Sequence, residues 1–108
     1  MRIYLIPWEE KESGWGLRPD GWSLHVSPEE YESYLKRYWS DLERYWETVP
    51  RPVPDEYSRP LDKPLLEADI PGDHPLALRL KAEKNIRINQ YEDERYELER
   101  LTGLKWPG

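Results

Sequence analysis

The chain has 108 residues, with 16 Lys and Arg against 22 Asp and Glu for a formal net charge of −6, and its aromatic residues are six Trp and eight Tyr without Phe. This length predicts a single domain spanning residues 1–108 with a modest core. No apolar run approaches the roughly 20 residues that span a bilayer, and no basic start leads into an apolar leader. Without Cys the chain has no disulfide, thiolate ligand or Cys nucleophile. We therefore expect a soluble, cytoplasmic protein that does not bind membranes.

The acidic charge also disfavours duplex DNA as a partner, because Lys and Arg must neutralise the phosphates that such a protein contacts. Acidic residues cluster in three runs. On exposed helix faces such runs are typical of solvation and of i,i+4 ion pairs, and the alternative is an acidic surface that imitates nucleic acid. The runs are Glu9, Glu10 and Glu12; Glu29, Glu30 and Glu32; and Glu92, Asp93, Glu94, Glu97 and Glu99.

The N-terminal segment predicts two strands that pair as a hairpin with a long loop. Arg2–Ile6 is rich in β-branched and aromatic residues and meets Pro7, which cannot donate to a sheet ladder. Trp8–Gly21 contains three Gly and several charges, which indicates a loop. Apolar residues then alternate with polar ones in Trp22–Val26, the pattern of a strand with one face buried.

A long helix is predicted next, over residues 28–48. Ser27 is a favourable N-cap, Pro28 suits the first helical position, and Glu30 completes a capping box. The prolines from Pro50 onwards end the helix, because the residue before a proline favours extended geometry. The inward stripe at steps of four and three residues, widened by two Trp, is Tyr31, Leu35, Tyr38, Trp39, Leu42, Tyr45, Trp46 and Val49.

Residues 50–75 contain seven prolines in 26 positions. Proline lowers the entropy of the unfolded chain, so we expect an ordered, largely non-repetitive connection wrapped on the domain. Extended disorder is the alternative.

The last third predicts three short elements. Leu76–Lys84 favours a helix by composition, although its leucines also fit strand alternation. Residues 86–89 suit a brief edge strand. A helix is expected at 91–102 with Tyr91, Leu98 and Leu101 inward, ended by Gly103, after which Trp106 packs back or protrudes. The predicted fold class is α+β: two to four short strands packed against the long helix and the C-terminal helix.

The densest group of chemically active residues lies between Gly14 and His25. Loops on a rigid scaffold commonly carry binding groups, and here Trp15 or Trp22 would stack on a ligand while Arg18 contacts an anion. Asp20 and His25 would orient the ligand by hydrogen bonds. The structural alternative is that Pro19-Asp20-Gly21 is simply a turn and that both Trp belong to the core.

Two further groups are candidates for ligand binding. Tyr57 and Arg59 lie among rigid prolines, and the alternative reading is a salt bridge from Arg59 to Asp55 or Glu56. In Lys84–Gln90 the polar residues alternate with two Ile, so Arg87 and Asn89 would project from one face of a sheet edge.

Catalysis has little support in the sequence. The histidines, His25 and His74, lack the spacing that metal binding or general-base chemistry requires. No nucleophile elbow or P-loop is present, and Gly14-Trp15-Gly16 is no nucleotide fingerprint. We therefore expect a protein that is not an enzyme and that uses neither cofactor nor metal.

The run LRPDGWSLHVSPEE, from Leu17 to Glu30, followed by PDEYSRP resembles small uncharacterised proteins of bacteriophages and prophages that carry an RPDG-aromatic-SLH segment. The resemblance covers about the first 60 residues. It implies a phage or mobile-element origin and a shared feature that includes Arg18, Asp20, Trp22, Ser23 and His25. Small non-catalytic phage proteins of this size commonly bind a host signal molecule or block a host protein.

These observations lead to one functional hypothesis and two alternatives. The first is an anti-defence protein of the host cytoplasm that sequesters a small nucleotide-like immune signal by stacking and by arginine contacts. The second is an acidic inhibitor of a host protein that uses Glu92–Glu99, and the third is a structural phage protein. We also expect a homo-oligomer, because so many Trp and Tyr exceed what one small core can hide.

Overall fold

The structure, a computed structural model, describes residues 1–12, 16–48 and 57–107. Over these residues it is an α+β fold, which confirms the predicted class, with five strands instead of two to four. In chain order the elements are β1 (Arg2–Glu12), β2 (Gly16–His25), α1 (Pro28–Thr48), β3 (Tyr57–Pro60), β4 (Leu66–Asp69), α2 (Pro75–Glu83), β5 (Asn85–Ile88) and α3 (Asp93–Thr102).

Strand β1 organises the sheet. The strand order is β3-β1-β2-β5, and β4 also pairs with β1, all of them antiparallel. The first half of β1 pairs with β4, as Arg2 lies opposite Asp69, and the second half pairs with β3, as Lys11 lies opposite Tyr57. The connection at 50–75, predicted to be ordered and largely non-repetitive, contains two short strands, β3 and β4, and its residues 50–56 lie outside the described residues.

The hairpin differs from the prediction of a short strand and a long loop. Strand β1 continues through Pro7 to Glu12, and β2 already begins at Gly16. The register of the two strands shifts between Pro7 and Glu9, and such a bulge tolerates a residue that cannot donate to the ladder. Arg18 and Asp20 consequently lie on a strand instead of in a loop.

One face of the sheet carries the aliphatic core, against which α2 and α3 pack. Trp22 and Leu24 of β2 point into it and are fully buried. Gly21 precedes them with φ +75°, and a Cβ there would lie 1.9 Å from the carbonyl oxygen of Ile88, so glycine permits the close approach of β2 and β5. The core comprises Ile3, Leu5, Trp22, Leu24, Ile70, Leu76, Ala77, Leu80, Ile86, Ile88 and Leu98.

The opposite face of the sheet is also covered, by α1. Ser23 and His25 are fully buried on it, although the alternating pattern predicted that they face outwards. The ring of Tyr34 lies 5.2 Å from that of His25, and the ring of Tyr38 lies 4.9 Å from that of Trp8 in edge-on contact. The prediction of burial on one face was wrong because a helix packs on each side of β2.

Helix α1 has the predicted bounds. The hydroxyl of Ser27 accepts a hydrogen bond from the backbone of Glu30 at 3.1 Å, as an N-cap does. The predicted inward stripe is only partly confirmed, since no residue of α1 is fully buried and Tyr45 is 54% exposed. Val49, the last predicted member of the stripe, lies outside the described residues.

The C-terminal elements largely follow the prediction. α2 is a helix with His74 as N-cap, and β5 is an edge strand. α3 begins at Asp93 and not at residue 91, so the predicted burial of Tyr91 is wrong: its side chain is 89% exposed. Gly103 ends α3 with φ +73°, and Trp106 packs back, its Nε1 donating to the carbonyl of Trp8 at 2.6 Å.

Candidate functional site

Trp22, one of the two aromatic residues of the first predicted group, is not available to stack on a ligand. Trp22 is buried in the core, and its Nε1 donates to Glu99 at 3.4 Å, so its ring faces are covered by protein. Trp15 lies outside the described residues.

His25 belongs to a buried chain of hydrogen bonds. Its Nδ1 lies 2.6 Å from Oδ1 of Asn85, and its Nε2 lies 2.8 Å from Oγ of Ser23. Since Oδ1 can only accept, Nδ1 carries the proton and Nε2 accepts from the serine hydroxyl. The Ser23 oxygen accepts from Nε1 of Trp8 at 2.7 Å. Burial lowers the pKa of His25 to about 4, so the ring is neutral at pH 7.

The order Ser23, His25, Asn85 matches that of a nucleophile, a base and an orienting group. A hydrolase must expose the nucleophile, and here both Ser23 and His25 are fully buried beneath Trp8 and α1. The chain of hydrogen bonds therefore satisfies buried polar atoms and ties β2 to β5.

Asp20 and Arg87 are brought together as an internal ion pair. Nη2 of Arg87 lies 2.9 Å from Oδ2 of Asp20, and Nη1 donates to the carbonyls of Asp20 and Trp22. The guanidinium also stacks on Trp8, with Cζ 4.4 Å from a ring centroid. Ser58 donates its hydroxyl to the same Asp20 oxygen. Both charges thus hold the strands together and have little left to offer a ligand.

The remaining predicted residues are scattered. Arg59 pairs with Glu9 at 2.7 Å, whereas its expected partners Asp55 and Glu56 lie outside the described residues. Arg18 lies 3.7 Å from Glu10. Tyr57 packs between Trp39 and Trp46, with the ammonium of Lys11 5.8 Å from its ring.

Asn89 and Arg87 do not share one surface. β5 ends at Ile88, and the exposed Asn89 donates to Glu92 at 2.8 Å, while Arg87 turns toward Asp20 and Trp8. The predicted polar face on the sheet edge is corrected accordingly.

A cavity of about 470 Å³ lies where the chain leaves α3, next to Pro19 of β2. We call it the C-terminal cavity. Three cationic side chains and one carboxylate line it, so its formal charge is +2 in a chain of −6. The lining residues that matter chemically are Gln90, Arg95, Glu99, Arg100, Lys105 and Trp106.

Local structure fixes the walls of the C-terminal cavity. Gly103 reverses the direction of the chain after α3. The half-buried indole of Trp106 then donates a hydrogen bond from Nε1 to the carbonyl of Trp8. Arg95 donates to the carbonyl of Gln90 at 2.6 Å and to both carboxylate oxygens of Glu99, at 3.2 and 3.0 Å. These contacts hold one wall rigid before any ligand arrives.

Two of the cationic side chains that line the cavity are exposed. The side chain of Arg100 is 68% exposed and pairs with Glu97, and Lys105 is exposed. An indole with nearby guanidinium and ammonium groups can stack an aromatic ring and hold an anion beside it.

Sequence reasoning missed this cavity. The sequence pattern of α3 and the residues after it predicts a charged, solvated face, and this segment contains Arg95, Arg100 and Lys105. The available signal was Trp106, which followed no helical stripe and lay directly after Lys105.

Another cavity, of about 340 Å³, lies between α2 and α3, but its charges are already paired. Arg79 contacts Glu94 at 3.0 Å, and Nε2 of His74 lies 3.1 Å from Glu97. The residues described include no group of three or more His, Asp or Glu placed to hold a metal ion. None of their helices is long and apolar enough to cross a membrane.

Comparison of the chain with protein-family models, with curated proteins and with solved structures gives no match. The function therefore has to be argued from the site itself.

Proposed function

We propose that the protein is a non-enzymatic binding protein that holds a small nucleotide-like anion in the C-terminal cavity. The observation that carries this proposal is the local charge: Arg95, Arg100 and Lys105 line the same cavity as the indole of Trp106, in a chain that is acidic overall. Positive charge concentrated in one cavity of an acidic protein favours an anionic ligand, and the indole favours one with an aromatic ring.

The geometry supports a definite arrangement of such a ligand. The base stacks on Trp106, and its phosphate contacts Arg100 and Lys105 at the mouth. Gln90 accepts from the backbone of Gly21 through Oε1 at 3.2 Å, which leaves its Nε2 to donate to the base. Arg95, paired with Glu99, acts as a fixed wall.

The biological role that fits is sequestration. The resemblance to phage proteins supports a host immune nucleotide as the ligand, captured in the host cytoplasm. Sequestration requires affinity and no chemistry, which agrees with the burial of Ser23 and His25.

Isothermal titration with a panel of cyclic and linear nucleotides tests the proposal. We expect saturable binding that weakens with salt, because charged contacts at an open mouth are screened. Lys105→Gln should weaken it about tenfold, the effect of losing one charge-assisted hydrogen bond. Lys63→Gln, an exposed lysine that does not line the cavity, is the matched control.

Stacking is tested separately at Trp106. Phe in its place keeps a ring but loses the bond to Trp8, whereas Leu loses both. Trp106→Leu should therefore bind more weakly than Trp106→Phe. Absence of heat with every nucleotide, from a folded sample, would overturn the proposal.

The alternative function, an acidic inhibitor of a basic host protein, depends on free carboxylates along α3. In the described residues Glu94 pairs with Arg79, Glu97 with Arg100, and Glu99 with Arg95. These pairs leave fewer unpaired carboxylates on α3 for a basic partner. Charge reversal at Glu94, which neither lines the C-terminal cavity nor pairs with a residue of it, distinguishes the two, since only the inhibitor would lose its partner.

A further inference from the structure

A third cavity, a groove of about 400 Å³, lies where α1 passes the edge strand β5 and the end of α2. It shares no lining residue with the C-terminal cavity. We call it the edge groove, and it is lined by Tyr34, Arg37, Tyr38, Asp41, Glu83 and Asn85.

Arg37 distinguishes this groove from the rest of the surface. Within residues 1–12, 16–48 and 57–107 it is the arginine without an ion pair, whereas the other eight each lie within 4.0 Å of a carboxylate. Asp41, one helical turn further on, forms no ion pair with it within 4.0 Å, and a cation that precedes the acid by four residues is the less favourable order on a helix. Asp41 instead lies 4.0 Å from Arg44.

Two carboxylates face the same space. Asp41 is 75% exposed and only distantly paired, and Glu83 reaches the groove from the end of α2, where one of its oxygens contacts Arg79 at 2.7 Å. A carboxylate accepts several hydrogen bonds, so both retain capacity for a cationic group. A polyanion is disfavoured here, since two acids line the groove against one arginine.

The aromatic side of the groove is rigid. Tyr34 and Tyr38 pack edge-on against Trp8, with ring centroids 6.3 and 4.9 Å away. Tyr38 is also anchored through its hydroxyl, which donates to the carbonyl of Ser58. Burial raises the pKa of both phenols, so they stay neutral at physiological pH. They give the groove an apolar surface beside its charges.

We propose that the edge groove binds a zwitterionic α-amino acid with an aromatic or aliphatic side chain. Arg37 holds the carboxylate in a bidentate contact, Asp41 and Glu83 hold the ammonium group, and the side chain packs against Tyr34 and Tyr38. The size suits this class, since small-molecule sites begin at about 300 Å³. This site is independent of the proposed nucleotide site.

The charge requirement gives a direct experiment. Two-dimensional NMR titrations of the full chain use L-phenylalanine, N-acetyl-L-phenylalanine and L-phenylalaninamide, which differ in which charge they keep. We expect saturable shifts at α1 and β5 with the free amino acid and at least about tenfold weaker binding for each blocked form, because each has lost a charge-assisted contact. Equal binding of all three, or no saturable shift with phenylalanine, would overturn the proposal.

Variants test the assignment of residues. Arg37→Gln should weaken binding of phenylalanine at least about tenfold, and Lys36→Gln, which removes an exposed positive charge on the same helix outside the groove, should leave it unchanged. Glu83→Gln, on another element, tests the ammonium contact independently of α1. Unchanged affinity in both Arg37→Gln and Glu83→Gln, with melting temperatures like the parent, would contradict the site.

Discussion

At the scale of single residues, burial decides which polar groups are available. Four residues have side chains that could bind a ligand, but each forms hydrogen bonds to other residues of the protein. They are Ser23, His25, Asp20 and Arg87. Leaving such a group unpaired in the interior would cost more than a typical hydrogen bond contributes, so buried polar groups are found in satisfied networks. A prediction from residue type alone therefore assigns too many residues to the ligand site.

His25 makes stability depend on pH. Its pKa is about 4 in the folded protein against 6.5 in the unfolded chain, so between these values the unfolded chain binds more protons. The free energy of unfolding contains the full contribution of neutral His25 above pH 6.5. As the pH drops from 6.5 to 4, this contribution falls by about 3 kcal/mol. Urea unfolding at pH 7 and pH 4.5 measures this loss.

His25→Gln is the control, because the amide does not titrate. It should be less stable at pH 7 and should flatten the slope between pH 6.5 and 4. Glu97, whose pKa Arg100 and His74 lower from 4.5 to about 2, loses its contribution as the pH falls from 4.5 to 2, and so at pH values below the measurements. An unchanged slope in His25→Gln would assign the effect to another group.

At the scale of elements, α1 divides into two parts. Its N-terminal half covers the sheet through Tyr31, Tyr34 and Tyr38, while Trp39 and Trp46 contact Tyr57 at the edge strand β3. The capping residues and the prolines predicted the bounds of α1, and the helical period predicted that Tyr31 and Tyr38 face inward. It did not predict Tyr34, because the width of a buried stripe depends on the surface against which the helix packs.

This division predicts unequal costs along the helix. Tyr34→Ala should lower the free energy of unfolding by about 3 kcal/mol, since it removes contacts with Trp8 and His25. Tyr45→Ala, at a site 54% exposed, should change it by less than about 0.5 kcal/mol. Thermal unfolding, at concentrations where both variants have the same mass by light scattering, makes the comparison; equal costs would contradict it.

Strand β1 is longer than the sequence pattern predicted. Pro7 predicted an end to the strand, since proline lacks a donor, but the bulge at Pro7 and Glu9 lets the strand continue. The strand pairs with its neighbour β2 along most of its length, but its two other partners, β3 and β4, lie more than forty residues further along the chain. No local pattern contains that information.

At the scale of the whole molecule, only some of the aromatic side chains are buried. Trp8 and Trp22 are fully buried, while Tyr45, Tyr91 and Tyr96 are more than half exposed. Tyr and Trp are enriched at interfaces because they combine apolar area with a polar group, and the homo-oligomer expected from the sequence stays a prediction.

Light scattering checks this expectation. We expect a mass of at least twice the 13.1 kDa of one chain, and a melting temperature that rises with protein concentration, because association stabilises the folded state by mass action. A mass of 13.1 kDa together with a concentration-independent melting temperature would show a monomer.

The α+β class, the bounds of α1, the existence of α2 and β5, and the end of α3 at Gly103 could be predicted from the amino-acid pattern. Ser27, Pro28 and Gly103 act on the neighbouring backbone, so a few adjacent residues are enough to predict their effect. Three features required the folded structure: the length of β1, the burial of His25 with the ion pair of Arg87, and the position of Trp106 beside Arg100 and Lys105 at a cavity. These outcomes depend on contacts between distant segments, and burial, which sets the energy of every polar group, exists only once those segments have met.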